Sequence, residues 1–305
     1  MSSSNYELPT SLARLQGTVG VWASPDLLPA VSASDMASHA ERAGFSVLWI
    51  PEAWGRESFV NAGLQLQGST SLTIATGITN IWGRDAVASA AVSRTLNAAY
   101  GDRFVLGLGV SHQPLVERLR GHTYAGPVAA MRAYLEAMDA APNFSHEGSH
   151  RFARVIAALG PRMLDLAAEL TDGVHPYLVT PEHTAVARAA VGAAKFIGVE
   201  QAVVFGASRE EFLRRAHAHL DIYTGLENYR NSWRRLGFDD DDFVRGGSDR
   251  LCDAMVVHGT EEAIIARVKE HREAGADHVC LQFLNETMGV DNYDEWQRVG
   301  NALGA

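Results

Sequence analysis

The chain has 305 residues, 47% of them hydrophobic and 20% charged, with 12 His, 2 Cys and a formal charge of −10. It is far too apolar for disorder, and its acidity argues against nucleic acid as a partner, since a phosphate-tracking surface needs a basic stripe and none is visible. Neither an uninterrupted apolar run long enough to span a bilayer nor a signal-peptide pattern is present, so no membrane association is expected, the protein is placed in the cytoplasm, and Cys252 and Cys280 have only packing to do.

Strand-like and helix-like patterns alternate along the chain. Nearly continuous apolar runs occur at 18–23, 47–51, 72–78, 104–110, 155–159, 173–177, 201–205 and 278–284. Runs apolar at consecutive positions suit strands buried on both faces, as in a parallel sheet covered by helices. Between them lie helical segments with stop signals: 35–43 before Gly44, 85–100 before Gly101, and 260–275, where Thr260 caps, Glu261 and Glu262 face the positive helix end, and Gly275 closes. Eight βα units in this length fit an α/β (β/α)8 TIM barrel over residues 1–305 as a single domain, rather than a doubly wound open sheet. Two stretches exceed the repeat. Residues 111–150, with a helix over 128–139, form an insertion after the fourth strand that reads as a lid over the mouth; residues 208–255 form a helical excursion before the eighth. The acidic run 239–242 within it reads as a solvated turn or helix start.

Barrel active sites form where strands end. The ends here offer Trp22 and Ser24, Glu52 with Trp54, Thr79 and Asn80, Ser111 and His112, Gly160-Pro161-Arg162, His175 with Tyr177, and Asn285 with Glu286. No nucleophile–base pair and no metal-ligand spacing is present, which speaks against a hydrolase and gives no metal site. The GLG at 107–109 lacks the third glycine of a dinucleotide fingerprint. Gly109 either keeps a crowded interior open or lets a flat ligand reach the backbone. In ALGPRMLDLAAELTDG, Gly160 turns the chain and Pro161 takes the first helical position, with Arg162 beside a positive dipole end; the segment is either an anion site for a cofactor phosphate or an ordinary βα turn. In TGITN, Gly77 permits unusual backbone geometry where a ligand rests on the main chain. His112 is either structural or a general acid–base. His217 and His219 point to different faces of one helix and do not chelate. Trp49 reads as core, while Trp22, Trp54 and Trp82 are placed to wall an apolar pocket.

The ordered set VLWIPEAWGRE, TIATGITN, RFVLGLGVSH, IAALGPRMLDLAAELTDG and AGADHVCLQFL resembles the bacterial luciferase-like superfamily, and within it the coenzyme F420-dependent oxidoreductases of actinobacteria. The resemblance spans about residues 17–300 and implies a commonly dimeric barrel holding a flavin or deazaflavin at its mouth. It places a non-prolyl cis peptide at Gly77-Ile78 behind the ring, with Thr79 following, and an acidic residue, Glu52, near it. Gly109, Val110 and Ser111 match the segment beside the cofactor tail, and Ala158, Leu159, Gly160, Pro161 and Arg162 the phosphate turn. Trp22, Trp54, Asn80, Trp82, His175 and Tyr177 would line the substrate pocket. The family's sugar-phosphate dehydrogenases carry a His after the strand-two acid and a Glu after strand four, where this chain has Ala53 and His112. The departure favours a reductase of an unidentified organic substrate over sugar-phosphate oxidation, with His112 as proton donor. Segments NYRNSWRRLGF, GGSDRL and DAMVVHG also resemble the F420 subgroup, and Arg234, Arg235 and Arg250 either line the entrance for the cofactor's tail or are merely solvated. An FMN-dependent monooxygenase and a non-catalytic F420-binding protein are the alternatives.

Overall fold

The computed structural model describes residues 6–53, 55–124, 126–146, 151–287 and 291–304. The apolar runs form the strands β1 (Thr18–Trp22), β2 (Val47–Ile50), β3 (Thr73–Thr76), β4 (Thr79–Asn80), β5 (Phe104–Gly109), β6 (Ala153–Ile156), β7 (Gly173–Val174), β8 (Phe196–Phe205), β9 (Val256–Gly259) and β10 (His278–Phe283). All pairings are parallel, in the order β10-β1-β2-β3-β5-β6-β7-β8. β8 then pairs back on β10, from His278 opposite Gly198 to Phe283 opposite Val203, which closes an eight-stranded barrel. β4 is a short pairing on β5 beyond a bulge, and β9 adds to the far end of β8 outside the closed ring.

Alternation within each strand divides the core. Val47 and Trp49 of β2 share the barrel interior with Ala75, Val105, Val155, Phe196 and Cys280, joined by Leu12 and Leu15 from the N-terminal segment. Leu48 and Ile50 face outward into the layer between sheet and helices. The helices start and stop on local signals. Asp85 accepts the Ala88 N–H at 2.8 Å ahead of helix Ala86–Tyr100, and Gly101 ends it in the left-handed region at φ 64°.

The structure departs from the sequence expectations in four places. Helix Pro127–Asp139 packs against both Ala86–Tyr100 and Pro161–Leu170, so it belongs to the outer ring and does not cover the mouth. The fifth strand is Ala153–Ile156, two residues earlier than expected, because the chain leaves the sheet at Ala157 to reach Gly160. The seventh begins at Phe196 instead of Gln201, since Gly198 interrupts an apolar run that is buried throughout. Finally, the excursion after β8 holds helices Arg209–Leu220, Glu227–Arg235 and Asp249–Met255 but ends in the strand β9, whose β-branched Val256 and Val257 pair with Ala202 and Val203. This excursion builds a second core, with Phe212, Tyr229, Trp233 and Leu251 packed on Leu178, Ala202 and Val204. Its acidic run is partly structural: Asp242 is buried and accepts from Ser248 and Arg250, while Asp240 pairs with Arg234. Among the described residues, no helix is long and apolar enough to cross a membrane.

Candidate active site

β3 turns into β4 through a bulge in which the Gly77-Ile78 peptide is cis. The end of β2 grips it: the Gly77 N–H donates to Ile50 O at 2.8 Å, and the Glu52 N–H donates to Ile78 O at 3.0 Å. From β1, the Trp22 indole N–H donates to Gly77 O at 2.9 Å. β5 makes room. A methyl group at Gly107 would run into the Thr76 carbonyl, and one at Gly109 into the Ile78 side chain. Gly109 therefore admits Ile78, so the space above it serves the bulge. A methyl at Gly77 would meet the Trp22 indole nitrogen and His175 Nε2, each at 2.9 Å.

Behind the bulge the barrel interior is polar yet uncharged. His175 stacks on Trp49 at 4.1 Å, and its Nδ1 donates to Gly198 O at 2.8 Å, which leaves Nε2 a buried acceptor without a partner. Burial lowers the His175 pKa to about 4 and that of His278, on the other side of Trp49, to about 3. Glu200 accepts the Leu178 N–H at 3.0 Å with one oxygen, while the other is buried without a partner. Burial pushes its carboxyl up to about 8, so Glu200 is a neutral acid at pH 7.

Glu52 lies at the end of β2 but is spent on structure. It forms a close ion pair with Arg84 and accepts the Asn80 N–H at 2.8 Å, and Arg84 also reaches Glu57 at 2.6 Å. Asn80 and Thr79 are likewise engaged, Asn80 accepting the Trp82 N–H at 2.8 Å and Thr79 donating to Ser58 at 2.9 Å. These contacts tie down the loop that follows the bulge.

The rim is aromatic. The Trp82 indole donates to Val110 O at 2.9 Å, and its ring lies 6.2 Å from Tyr124, whose hydroxyl reaches the carbonyl of Ser111, a residue at φ 55°. His112 sits 5.9 Å from Tyr229. Burial lowers its pKa, an effect opposed by a hydrogen bond with Asn228. From Tyr229 the arc continues to Tyr223 at 4.9 Å, to Tyr177 at 5.6 Å and to Trp22 at 5.6 Å. The Tyr177 hydroxyl donates to Gln282 Oε1 at 2.7 Å and accepts from Tyr223 at 3.2 Å, with His219 Nε2 at 3.4 Å. His217, on the opposite face of that helix, turns instead to Gly246 and Asp249. Trp54 lies outside the described residues.

Further round the rim, Gly160 precedes helix Pro161–Leu170 with Pro161 at its first position. Arg235 of the excursion reaches in to donate to Leu159 O at 3.1 Å, and its guanidinium would stand 3.7 Å from a methyl at Gly160. His183 Nε2 donates to the same carbonyl at 3.1 Å. Ala158 is buried beneath the turn and Arg162 is exposed. Of the three arginines singled out with this entrance, Arg234 pairs with Glu227 and Asp240, and Arg250 with Asp242. Arg235 alone of the three turns to the helix start. Asn285 and Glu286, after β10, line a separate crevice of about 560 Å³ with His39, Arg215 and Tyr293.

The sequence model of a family described as luciferase-like monooxygenase matches residues 15–278. The chain belongs to this luciferase-like family. Among its relatives, 5,10-methylenetetrahydromethanopterin reductase of Archaeoglobus fulgidus is 25% identical over 316 residues, covering 87% of this chain and 92% of that protein. A Mycobacterium tuberculosis protein provisionally named as a coenzyme F420-dependent oxidoreductase is also 25% identical; there the match covers 53% of this chain, which spans only 55% of that relative's length. The fold is shared with an F420-dependent secondary alcohol dehydrogenase solved with an F420-acetone adduct, at TM-score 0.76 and 14% identity over 94% of this chain and 99% of that one. It is shared too with the FMN-bound oxygenating constituent of 3,6-diketocamphane monooxygenase from Pseudomonas putida, at TM-score 0.66 and 13% identity over 94% and 96%.

Sequence reasoning missed Tyr223, Tyr229 and His219 as rim residues of this luciferase-like barrel. The aromatic pair Tyr229 and Trp233, one helical turn apart, was a signal that the excursion packs inward.

Proposed function

We propose that the protein transfers a hydride between coenzyme F420 and an uncharged organic substrate, acting as a reductase. The observation that carries this reading is the Gly77-Ile78 bulge at the mouth, held by Trp22 and Ile50 and backed by a neutral His175, with an anion-ready helix start further round the same rim. The site's chemistry suits a flat, largely uncharged ring: the groups behind the bulge are neutral at pH 7, and Glu52 is matched by Arg84. When bound, F420 would supply a hydride carrier that reacts poorly with oxygen.

In this reading Gly77, Ile78 and Thr79 back the ring, and Gly109, Val110 and Ser111 flank the tail. Ala158 to Arg162 hold the phosphate, to which Arg235 adds a second guanidinium beside that of Arg162. Trp22, Trp82, His175 and Tyr177 bound the substrate space, and Asn80 and Glu52 set the loop beside it. His112 and Tyr177 are two of the rim groups able to carry a proton to substrate. The relative named as a coenzyme F420-dependent oxidoreductase supports the cofactor class. The same kinship supports a cytoplasmic homodimer, which sedimentation at micromolar concentration would test.

Anaerobic mixing with reduced F420 and a panel of ketones and enones tests the function. Oxidation of the cofactor in step with substrate loss is expected. Oxygen consumption with reduced FMN, and none of the first activity, would replace this reading with a monooxygenase.

A further inference from the structure

We propose that Tyr177 protonates the substrate and that the substrate presents it with a neutral carbonyl oxygen, an inference that rests on the F420 reading above. Tyr177 stands in the loop three residues beyond β7, half-buried, against Trp22, whose indole holds the Gly77 carbonyl. It is thus next to the bulge, whereas His112 meets Tyr229 at the other end of the aromatic arc. The Tyr177 hydroxyl has what a proton carrier needs, a supply on one side and a rotatable O–H on the other. Its hydrogen goes to Gln282 Oε1 at 2.7 Å, so at Tyr177 the contacts from Tyr223 (3.2 Å) and His219 Nε2 (3.4 Å) are donated to it. Tyr223 and His219 are only half-buried and can exchange with water. His112 hydrogen-bonds Asn228, an amide that does not relay protons.

The steps balance. Bound in its reduced form, F420 would supply the hydride for the new C–H bond at the carbonyl carbon, and the C=O π pair would move to oxygen. The Tyr177 O–H, rotated from Gln282, breaks to give that oxygen its proton. Tyr177 regains a proton from the Tyr223 hydroxyl, or from His219 Nε2 as water protonates His219 Nδ1, and water restores the Tyr223 proton. The cofactor is oxidised by two electrons, the carbonyl compound is reduced to an alcohol, and one proton is taken from solvent. Burial pushes the Tyr177 hydroxyl well above its usual pKa, so its proton must be replaced as it leaves, and the resting arc is uncharged: Glu200 is a neutral acid, His219 is neutral, and Tyr223 and Tyr229 are phenols. A carboxylate or phosphate at the reacting end of the substrate would find no countercharge in this arc.

The test compares wild type, Tyr177→Phe, Tyr223→Phe and His112→Gln, each loaded with F420, using cyclohexanone and cyclohexenone as probes. Tyr177→Phe should lower kcat by about 100-fold or more while F420 binding changes less than twofold. With oxidised F420 bound, the cyclohexanone C=O stretch should shift to lower frequency in wild type and not in Tyr177→Phe. Tyr223→Phe keeps the donor but slows its resupply, so its solvent isotope effect should rise; His112→Gln should lose less than Tyr177→Phe. Unchanged turnover or an unchanged C=O shift in Tyr177→Phe would overturn the assignment, as would an equal or larger loss in His112→Gln. A wild type that binds F420 yet reduces neither probe also overturns it and leaves the cofactor reading standing, whereas a wild type that binds no F420 removes that reading itself.

Discussion

Glu200 and the buried histidines tie stability to pH in opposite directions. His175, His219, His271 and His278 titrate at about 4, 4, 3 and 3 in the fold, against 6.5 when exposed. Their contribution is complete above 6.5 and is lost as the pH falls, because the unfolded chain takes up protons that the fold refuses. Glu200 moves from 4.5 to about 8, so the fold keeps a proton that the unfolded chain releases, and its contribution declines as pH rises through 8. Wild type should therefore melt highest near pH 6 to 7, and Glu200→Gln should remove much of the decline between pH 6.5 and 8. Equal slopes for the two proteins in melting curves would contradict this. Arg84→Met strands the buried Glu52 without its cation, and breaking a buried pair of this kind costs about 3–5 kcal/mol; a denaturant titration showing no loss would contradict that role for Arg84. At this scale, local chemistry was legible: the Gly160-Pro161 helix start is as the sequence suggested, because glycine and proline act on their own backbone. Glu52 was legible as a strand-end acid, but its pairing with Arg84, 32 positions away, depends on how the bulge folds back.

Elements were legible where an apolar run met a clear stop, and illegible where two solutions share one pattern. Helix Pro127–Asp139 has the same amphipathic face whether it caps a mouth or lines the outer ring; only its neighbours Ala86–Tyr100 and Pro161–Leu170 decide. β9 escaped because Val256-Val257 is too short a run to stand out until β8 extends beyond the barrel to receive it. The excursion's consequence is functional, for it carries Arg235 to the helix start. Arg235→Ala should weaken F420 binding about tenfold, roughly one charge-assisted hydrogen bond, whereas Arg234→Ala, which breaks contacts with Glu227, Asp240, Asn231 and Phe243 away from the helix start, should leave it unchanged. Equal effects in a fluorescence titration would deny Arg235 its place.

Across the whole molecule, eight apolar runs with intervening helices were enough to give the barrel, since few folds bury so many parallel strands on both faces. What the pattern did not contain was how tightly the second core is joined. β8 serves both cores, with Phe196 in the barrel interior and Ala202 and Val204 under the excursion, so we propose that residues 1–305 unfold as one cooperative unit. Calorimetry should give a single transition whose measured enthalpy equals the van't Hoff value, and two separated transitions would contradict it.

The cofactor is the claim on which the chemistry turns, and a direct titration of the purified apoprotein with F420 and, in parallel, with FMN tests it. Micromolar or tighter binding of F420, about −8 kcal/mol or better, with FMN at least tenfold weaker is the expected result. Preference for FMN, or binding of neither, would contradict it.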